Sequence, residues 1–199
     1  MSDFLFKDRD SQTPLPEELK KGLKPKHIQN MGELDEYEEA NIAEGLIWLS
    51  QQTKDPIDRH FWYQLHKKLF SDVWSWAGEV RDHELNNPDF LMPYEVRPAL
   101  KQIEDDVKYW LQNKTYPLKE IATRMHERLL TIHPFANGNG RFSRIVVEYF
   151  CSYHNIEKPT WGKRHRNLPD FRRKQYINAI VKARKEYNFK DLENFIFQN

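Results

Sequence analysis

The chain has 199 residues, with 31 Lys and Arg against 30 Asp and Glu, a formal charge of +1. That length fits one domain with a short arm, and the charge balance excludes a protein that works by bulk polyanion or polycation attraction. Mean hydropathy is −0.87 with 39% hydrophobic residues, yet 14% of residues are aromatic, and rings bury enough area each to build a core and exclude a disordered chain. A single cysteine, Cys151, excludes an intramolecular disulfide and a cysteine metal cluster. No apolar run approaches the roughly 18 residues of a membrane span. The first ten residues lack a basic-then-apolar secretion layout, so a cytoplasmic location is the default expectation.

Residues 1–29 hold Pro14, Pro16 and Pro25 among polar residues and read as an arm without a core of its own; residues 30–199 form the domain. Asn30 followed by Glu33 predicts a capping box opening a helix over about 33–49. Its apolar stripe holds Leu34, Tyr37, Gly45, Trp48 and Leu49, with Asn41 inside the stripe and Glu44 on its edge. Residues 57–70 carry Ile57, Phe61, Leu65 and Leu69 at helical steps, and a turn-rich stretch follows from Trp74 to Pro98. Within it, Phe90, Leu91 and Met92, flanked by Pro88 and Pro93, predict a short extended flap.

A helix is expected from about Arg97 to Leu111. Pro117 then suits the first position of a helix carrying Ile121, Met125 and Leu129. That helix must stop near His133, because Pro134 drives the preceding residue out of the α region. Periodicity is cleanest afterwards, with Phe142, Ile145, Val146, Tyr149, Phe150 and Tyr153 on one face. Helices over about Asp170–Tyr187 and Leu192–Phe197 close the chain. The predicted class is all-α, with at most one β-hairpin at the flap.

Chemistry concentrates in residues 131–144, Thr-Ile-His-Pro-Phe-Ala-Asn-Gly-Asn-Gly-Arg-Phe-Ser-Arg. Gly138 and Gly140 allow positive φ and close approach of a ligand to the backbone. The free N–H groups and dipole of the following helix make an anion site. Arg141 and Arg144 share a helix face suited to a di- or triphosphate, and His133 stands at the mouth of the turn, placed to accept a proton.

His133-Pro134-Phe135-Ala136-Asn137-Gly138-Asn139-Gly140-Arg141-Phe142-Ser143-Arg144 resembles the Fic-domain signature His-Pro-Phe-x-(Asp/Glu)-Gly-Asn-Gly-Arg-x-x-Arg. The resemblance extends to Phe70–Arg81 and covers roughly residues 30–195. The compact chain and its Glu-Tyr-Glu-Glu-Ala-Asn helix look most like the branch called mobile mystery protein B. The resemblance implies a protein adenylyltransferase using ATP and Mg²⁺. His133 would be the general base and Phe135 the loop anchor. The backbone of Gly138, Asn139 and Gly140 would hold the α- and β-phosphates, with Arg141 on the β-phosphate and Arg144 on the γ-phosphate. Phe90, Leu91 and Met92 would align a target protein presenting a Tyr, Ser or Thr hydroxyl. Self-modification, self-association and a toxin–antitoxin-like setting stay open at this point. Gly140 matches the nucleotide-transferring majority, where the kinase-like Doc branch carries Lys. Asn137 departs from the pattern, standing where the family has an acidic Mg²⁺ ligand; its amide oxygen is a weaker hard ligand.

The resemblance also implies a brake. Many Fic proteins carry (Ser/Thr)-x-x-x-Glu-(Gly/Asn), and Ala40-Asn41-Ile42-Ala43-Glu44-Gly45 fits it except at Ala40. Glu44 is therefore expected to pair with Arg144. Two further readings are carried forward: a catalytically silent nucleotide-binding module, which Asn137 makes credible, and a nucleic-acid binder using residues 163–185. That stretch has nine Lys or Arg against one acid, but no reader motif. A zinc hydrolase is excluded, since Leu130 stands where His126-Glu127 would need a second histidine.

Overall fold

The computed structural model describes residues 14–198, in which eight α-helices run in the order α1 Glu17–Lys20, α2 Met31–Ser50, α3 Arg59–Phe70, α4 Pro93–Asn113, α5 Leu118–Ile132, α6 Asn139–Tyr153, α7 Pro169–Glu186 and α8 Lys190–Phe197. A single 3₁₀ turn, Lys163–His165, precedes α7. Helix α5 is the central element: α4 and α6 pack against it, and α7 and α8 cover its remaining side. Helix α3 bridges α2 and α6. The all-α class holds.

Local signals account for the boundaries. The Asn30 side chain accepts the Glu33 N–H at 2.9 Å, and the Glu33 carboxylate reaches back to the Gln29 N–H at 2.8 Å, so the expected capping signal opens α2. Asp58 caps α3 by accepting from the His60 N–H, so that helix begins two residues after Ile57. Helix α4 starts at Pro93, a turn earlier than expected. Proline is preorganised for a first helical position, and the Glu95 carboxylate accepts the Met92 N–H at 2.9 Å. Helix α5 stops as predicted: His133 is left-handed at φ 48°.

Burial corrects two stripes. On α2 the buried residues are Met31, Leu34, Glu38, Asn41, Ile42, Gly45 and Leu49, whereas Tyr37 turns outward and its hydroxyl meets the His27 ring. On α6 the buried face is centred on Phe142, Val146, Val147 and Phe150, leaving Tyr153 exposed. The arm is not detached over its described part: Leu15, Leu23 and Ile28 are buried in the common core. Among the described residues the predicted flap hairpin is absent. Phe90 and Asp89 close back on Asn87 in a turn, and Leu91 donates its N–H to the Thr131 carbonyl at the end of α5 instead of to a strand ladder. Two isolated antiparallel bridges, Pro14 with Asn30 and Leu23 with Trp74, are the β-pairing described.

The basic stretch is partly structural. Arg172 is buried and donates to the Trp161 carbonyl, Arg184 pairs with buried Glu127 at 2.8 Å, and Lys182 pairs with Asp191 at 2.6 Å. Cys151 is buried, and burial pushes its thiol up to about 12, which leaves it a core residue without nucleophilic character. No helix of the described residues is long and apolar enough to cross a membrane.

Candidate active site

The turn between α5 and α6 is built from the inside out. Phe135 is fully buried and stacks on His66 of α3 with ring centroids 3.6 Å apart. Asn139 is also buried, and its side chain clamps the loop: it accepts the Phe135 N–H at 2.9 Å and donates to the Phe135 carbonyl at 2.7 Å. Gly138 has φ 76°, and a Cβ there would stand 2.7 Å from the Phe70 ring, so the position requires glycine twice over. Gly140 differs. A Cβ at Gly140 would meet no atom within 4 Å, so packing leaves space in front of the first turn of α6. That turn begins at Asn139, and the N–H groups of its opening residues have no intrahelical acceptor.

His133 is half-buried at the mouth of this turn. Its Nδ1 lies 3.1 Å from the Leu130 carbonyl, which only accepts, so Nδ1 carries the proton and Nε2 keeps its lone pair. The Phe90 ring of the flap stacks on the imidazole at 3.7 Å and 16°. Burial, opposed by the Leu130 hydrogen bond and aided by the Arg81 and Arg184 charges, pushes its pKa down to about 4, so the imidazole is neutral near pH 7.

The two arginines have different neighbours. Arg141 Nη1 lies 2.5 Å from the carboxylate of buried Glu38 on α2, with its guanidinium over the Phe70 ring. Arg144 extends over Tyr176 of α7, 5.1 Å from its centroid, and 5.9 Å from Trp161. Asn137 turns its side-chain oxygen to the Gly138 N–H at 2.7 Å. No group of three or more His, Cys, Asp or Glu side chains gathers among the described residues, and the motif's own contribution at the position of the acidic ligand is the Asn137 amide oxygen. An amide oxygen lacks the charge that makes a carboxylate a strong hard ligand, so such a site fits an ion carried in by nucleotide phosphates.

The expected Glu44–Arg144 pair is not formed. Glu44 is exposed and has no hydrogen bond or ion pair among the described residues. The reason is the face of α2 that meets α3. Asn41 exchanges hydrogen bonds with Lys68 and Asp72, and a Cβ on Gly45 would stand 2.8 Å from the Lys68 carbonyl. Docking through Asn41 and Gly45 leaves Glu44 outside. The carboxylate that α2 does bring to the loop is Glu38, which also accepts the Trp74 Nε1–H at 2.7 Å.

Sequence reasoning passed over Glu38 and His66. Both had a signal. Glu38 lies in helical register with Leu34, Asn41, Ile42 and Gly45, where a carboxylate needs a partner. His66 lies between Trp62 and Phe70 on α3. It accepts the Gly78 N–H at Nδ1 (3.0 Å), so Nε2 donates to the Asn137 carbonyl at 3.1 Å, and burial pushes its pKa down to about 3.

Residues 56–151 match the Fic/DOC family. A 90-residue stretch is 32% identical to the protein adenylyltransferase VbhT of Bartonella schoenbuchensis, covering 42% of this chain and 19% of that protein. This chain thus spans about a fifth of that curated relative. The fold is shared with the BepC effector of Bartonella tribocorum, solved with AMPPNP (TM-score 0.64, 18% identity, 88% of this chain and 94% of that one). It is shared too with an N-terminal Fic domain from Bartonella quintana, solved with ADP (TM-score 0.62, 19% identity, 98% and 94%). Motif, helical frame and family match converge on one segment: residues 56–151 match the Fic/DOC family within a helical fold shared with solved Fic domains.

Proposed function

We propose that this chain is a protein adenylyltransferase that moves AMP from ATP onto a Tyr, Ser or Thr hydroxyl of a target protein. The observation that carries the proposal is a neutral His133 with its Nε2 lone pair uncommitted, beside a helix N-terminus kept open at Gly140. The VbhT likeness points to the same chemistry.

In this reading the opening N–H groups of α6, through Gly138, Asn139 and Gly140, hold the α- and β-phosphates. Arg141 takes the β-phosphate and Arg144 the γ-phosphate through guanidinium–phosphate hydrogen bonds. Nε2 of His133 accepts the target hydroxyl proton as its oxygen bonds to the α-phosphorus. The α–β bridging P–O bond breaks and pyrophosphate leaves. Phe90, Leu91 and Met92 align the target segment beside His133. Mg²⁺ would neutralise phosphate charge, with Asn137 Oδ1 the motif oxygen that would help hold it. The test is label transfer from α-labelled ATP to protein. Wild type should transfer and His133→Ala should not.

A silent nucleotide-binding module is the second reading, favoured by the engagement of Asn137 Oδ1 with the chain's own Gly138 N–H. ATP binding without transfer in any variant would establish it.

A further inference from the structure

The last carbonyls of α5 are all taken, that of Leu129 in helical register by the capping His133 and the others by groups outside the helical ladder. Leu129 accepts from the His133 N–H, Leu130 from the His133 ring, and Thr131 from the Leu91 N–H of the flap. The remaining acceptors converge on Arg81, from the turn after α3. Its Nε donates to the His133 carbonyl at 2.7 Å, and its Nη2 to the Ile132 carbonyl at 3.3 Å and also to the Leu91 carbonyl. Its Nη1 donates to the His83 carbonyl at 2.9 Å, and its backbone N–H to the Pro134 carbonyl at 2.9 Å. Arg81 is 4% exposed.

Three physical points follow. A buried guanidinium whose hydrogen-bond acceptors are carbonyls is compensated here by the negative end of the α5 dipole. Only a rigid fork can satisfy His133, Ile132 and Leu91 together, so lysine is not equivalent. A non-glycine residue held left-handed, as His133 is at φ 48°, persists only where its surroundings over-determine it.

We propose that Arg81 is a positioning residue that locks the backbone of His133 to the flap at Leu91, so that base and target-aligning segment hold one mutual geometry. The proposal rests on the adenylyltransferase reading for its catalytic meaning, but the lock is measurable without catalysis. The charges facing the His133 ring are Arg81 and, from α7, Arg184, which is itself paired with Glu127 of α5 and lies 4.0 Å from Asp89 of the flap.

The experiment uses the full chain with Arg81→Gln and Arg81→Lys. Arg59→Gln, which breaks the distant Arg59–Glu104 pair, is the control for a general loss of stability. Hydrogen exchange at the Leu91 amide and NMR titration of the His133 ring are read alongside label transfer. Arg81→Gln should speed Leu91 exchange by at least about tenfold and raise the His133 pKa by roughly half a unit or more. It should lower kcat by about 100-fold with KM for ATP little changed. Arg81→Lys, which keeps the charge but loses the fork, should speed Leu91 exchange with a smaller ring shift. Arg59→Gln should move neither. Leu91 exchange and His133 titration unchanged in Arg81→Lys would overturn the proposal, even if Arg81→Gln does not fold. Altered exchange and titration in a protein whose wild type transfers no label would leave the lock standing and remove the adenylyltransferase reading instead.

Discussion

Glu38 of α2 and Arg141 of α6 form an ion pair at 2.5 Å beside the turn between α5 and α6, with the Glu38 side chain 2% exposed and that of Arg141 13% exposed. Arg141 is one of the two guanidiniums proposed for a triphosphate, so nucleotide phosphate and the Glu38 carboxylate compete for it. Glu38→Gln keeps an acceptor for Trp74 Nε1 and removes the charge. It is expected to tighten ATP binding by at least about fivefold, near 1 kcal/mol, and to cost about 3 kcal/mol of stability as the buried pair breaks. Exposed Glu44 predicts the opposite: Glu44→Gly should leave ATP affinity unchanged. Calorimetric titration of both variants decides which carboxylate on α2 restrains the site.

The two glycines of the turn should separate folding from binding. Gly138→Ala forces a Cβ into the Phe70 ring at positive φ and should cost about 2–4 kcal/mol. Gly140→Ala meets no atom and should change stability by less than about 1 kcal/mol. Nucleotide affinity should nevertheless fall in Gly140→Ala, because the methyl group fills the approach to the α6 N–H groups. Denaturant unfolding with and without ATP reads both effects.

Two fully buried imidazoles make the fold acid-sensitive. His66 and His126 have folded pKa values pushed down to about 3 by burial, against 6.5 when unfolded. Below pH 6.5 the unfolded chain takes up protons that the native chain refuses. Stability is therefore full at neutral pH and falls as pH drops from 6.5 toward 3. Each imidazole should cost about 1–2 kcal/mol between pH 7 and pH 5. Urea midpoints at the two pH values measure this, and His126→Gln should flatten the dependence by roughly a third, because His133, pushed down to about 4, adds a comparable share.

Restoring a carboxylate at Asn137 tests the metal argument. Asn137→Asp offers Mg²⁺ a charged oxygen at the same place and is expected to raise Mg²⁺-dependent transfer by roughly tenfold. Equal rates would mean that the phosphates alone hold the ion.

Much of this protein is written locally. Pro134 ends α5, Asn30 and Glu33 open α2, and the spacing of Phe142, Ile145, Val146 and Phe150 sets α6; each acts within a few residues, through backbone sterics, a cap or helical period. The candidate site from His133 to Arg144 stood out for the same reason, since glycines, a helix start and two arginines lie within one contiguous segment. What sequence could not decide was which side chains from other elements complete it. Glu38 and Glu44 differ by six positions on one helix, and only the docking of α2 on α3 through Asn41 and Gly45 turns Glu38 inward and Glu44 to solvent. Arg81 and His66 join the site across 52 and 71 residues of chain. Their partners are backbone carbonyls, which every residue possesses, so no residue pattern marks such contacts and only tertiary packing creates them.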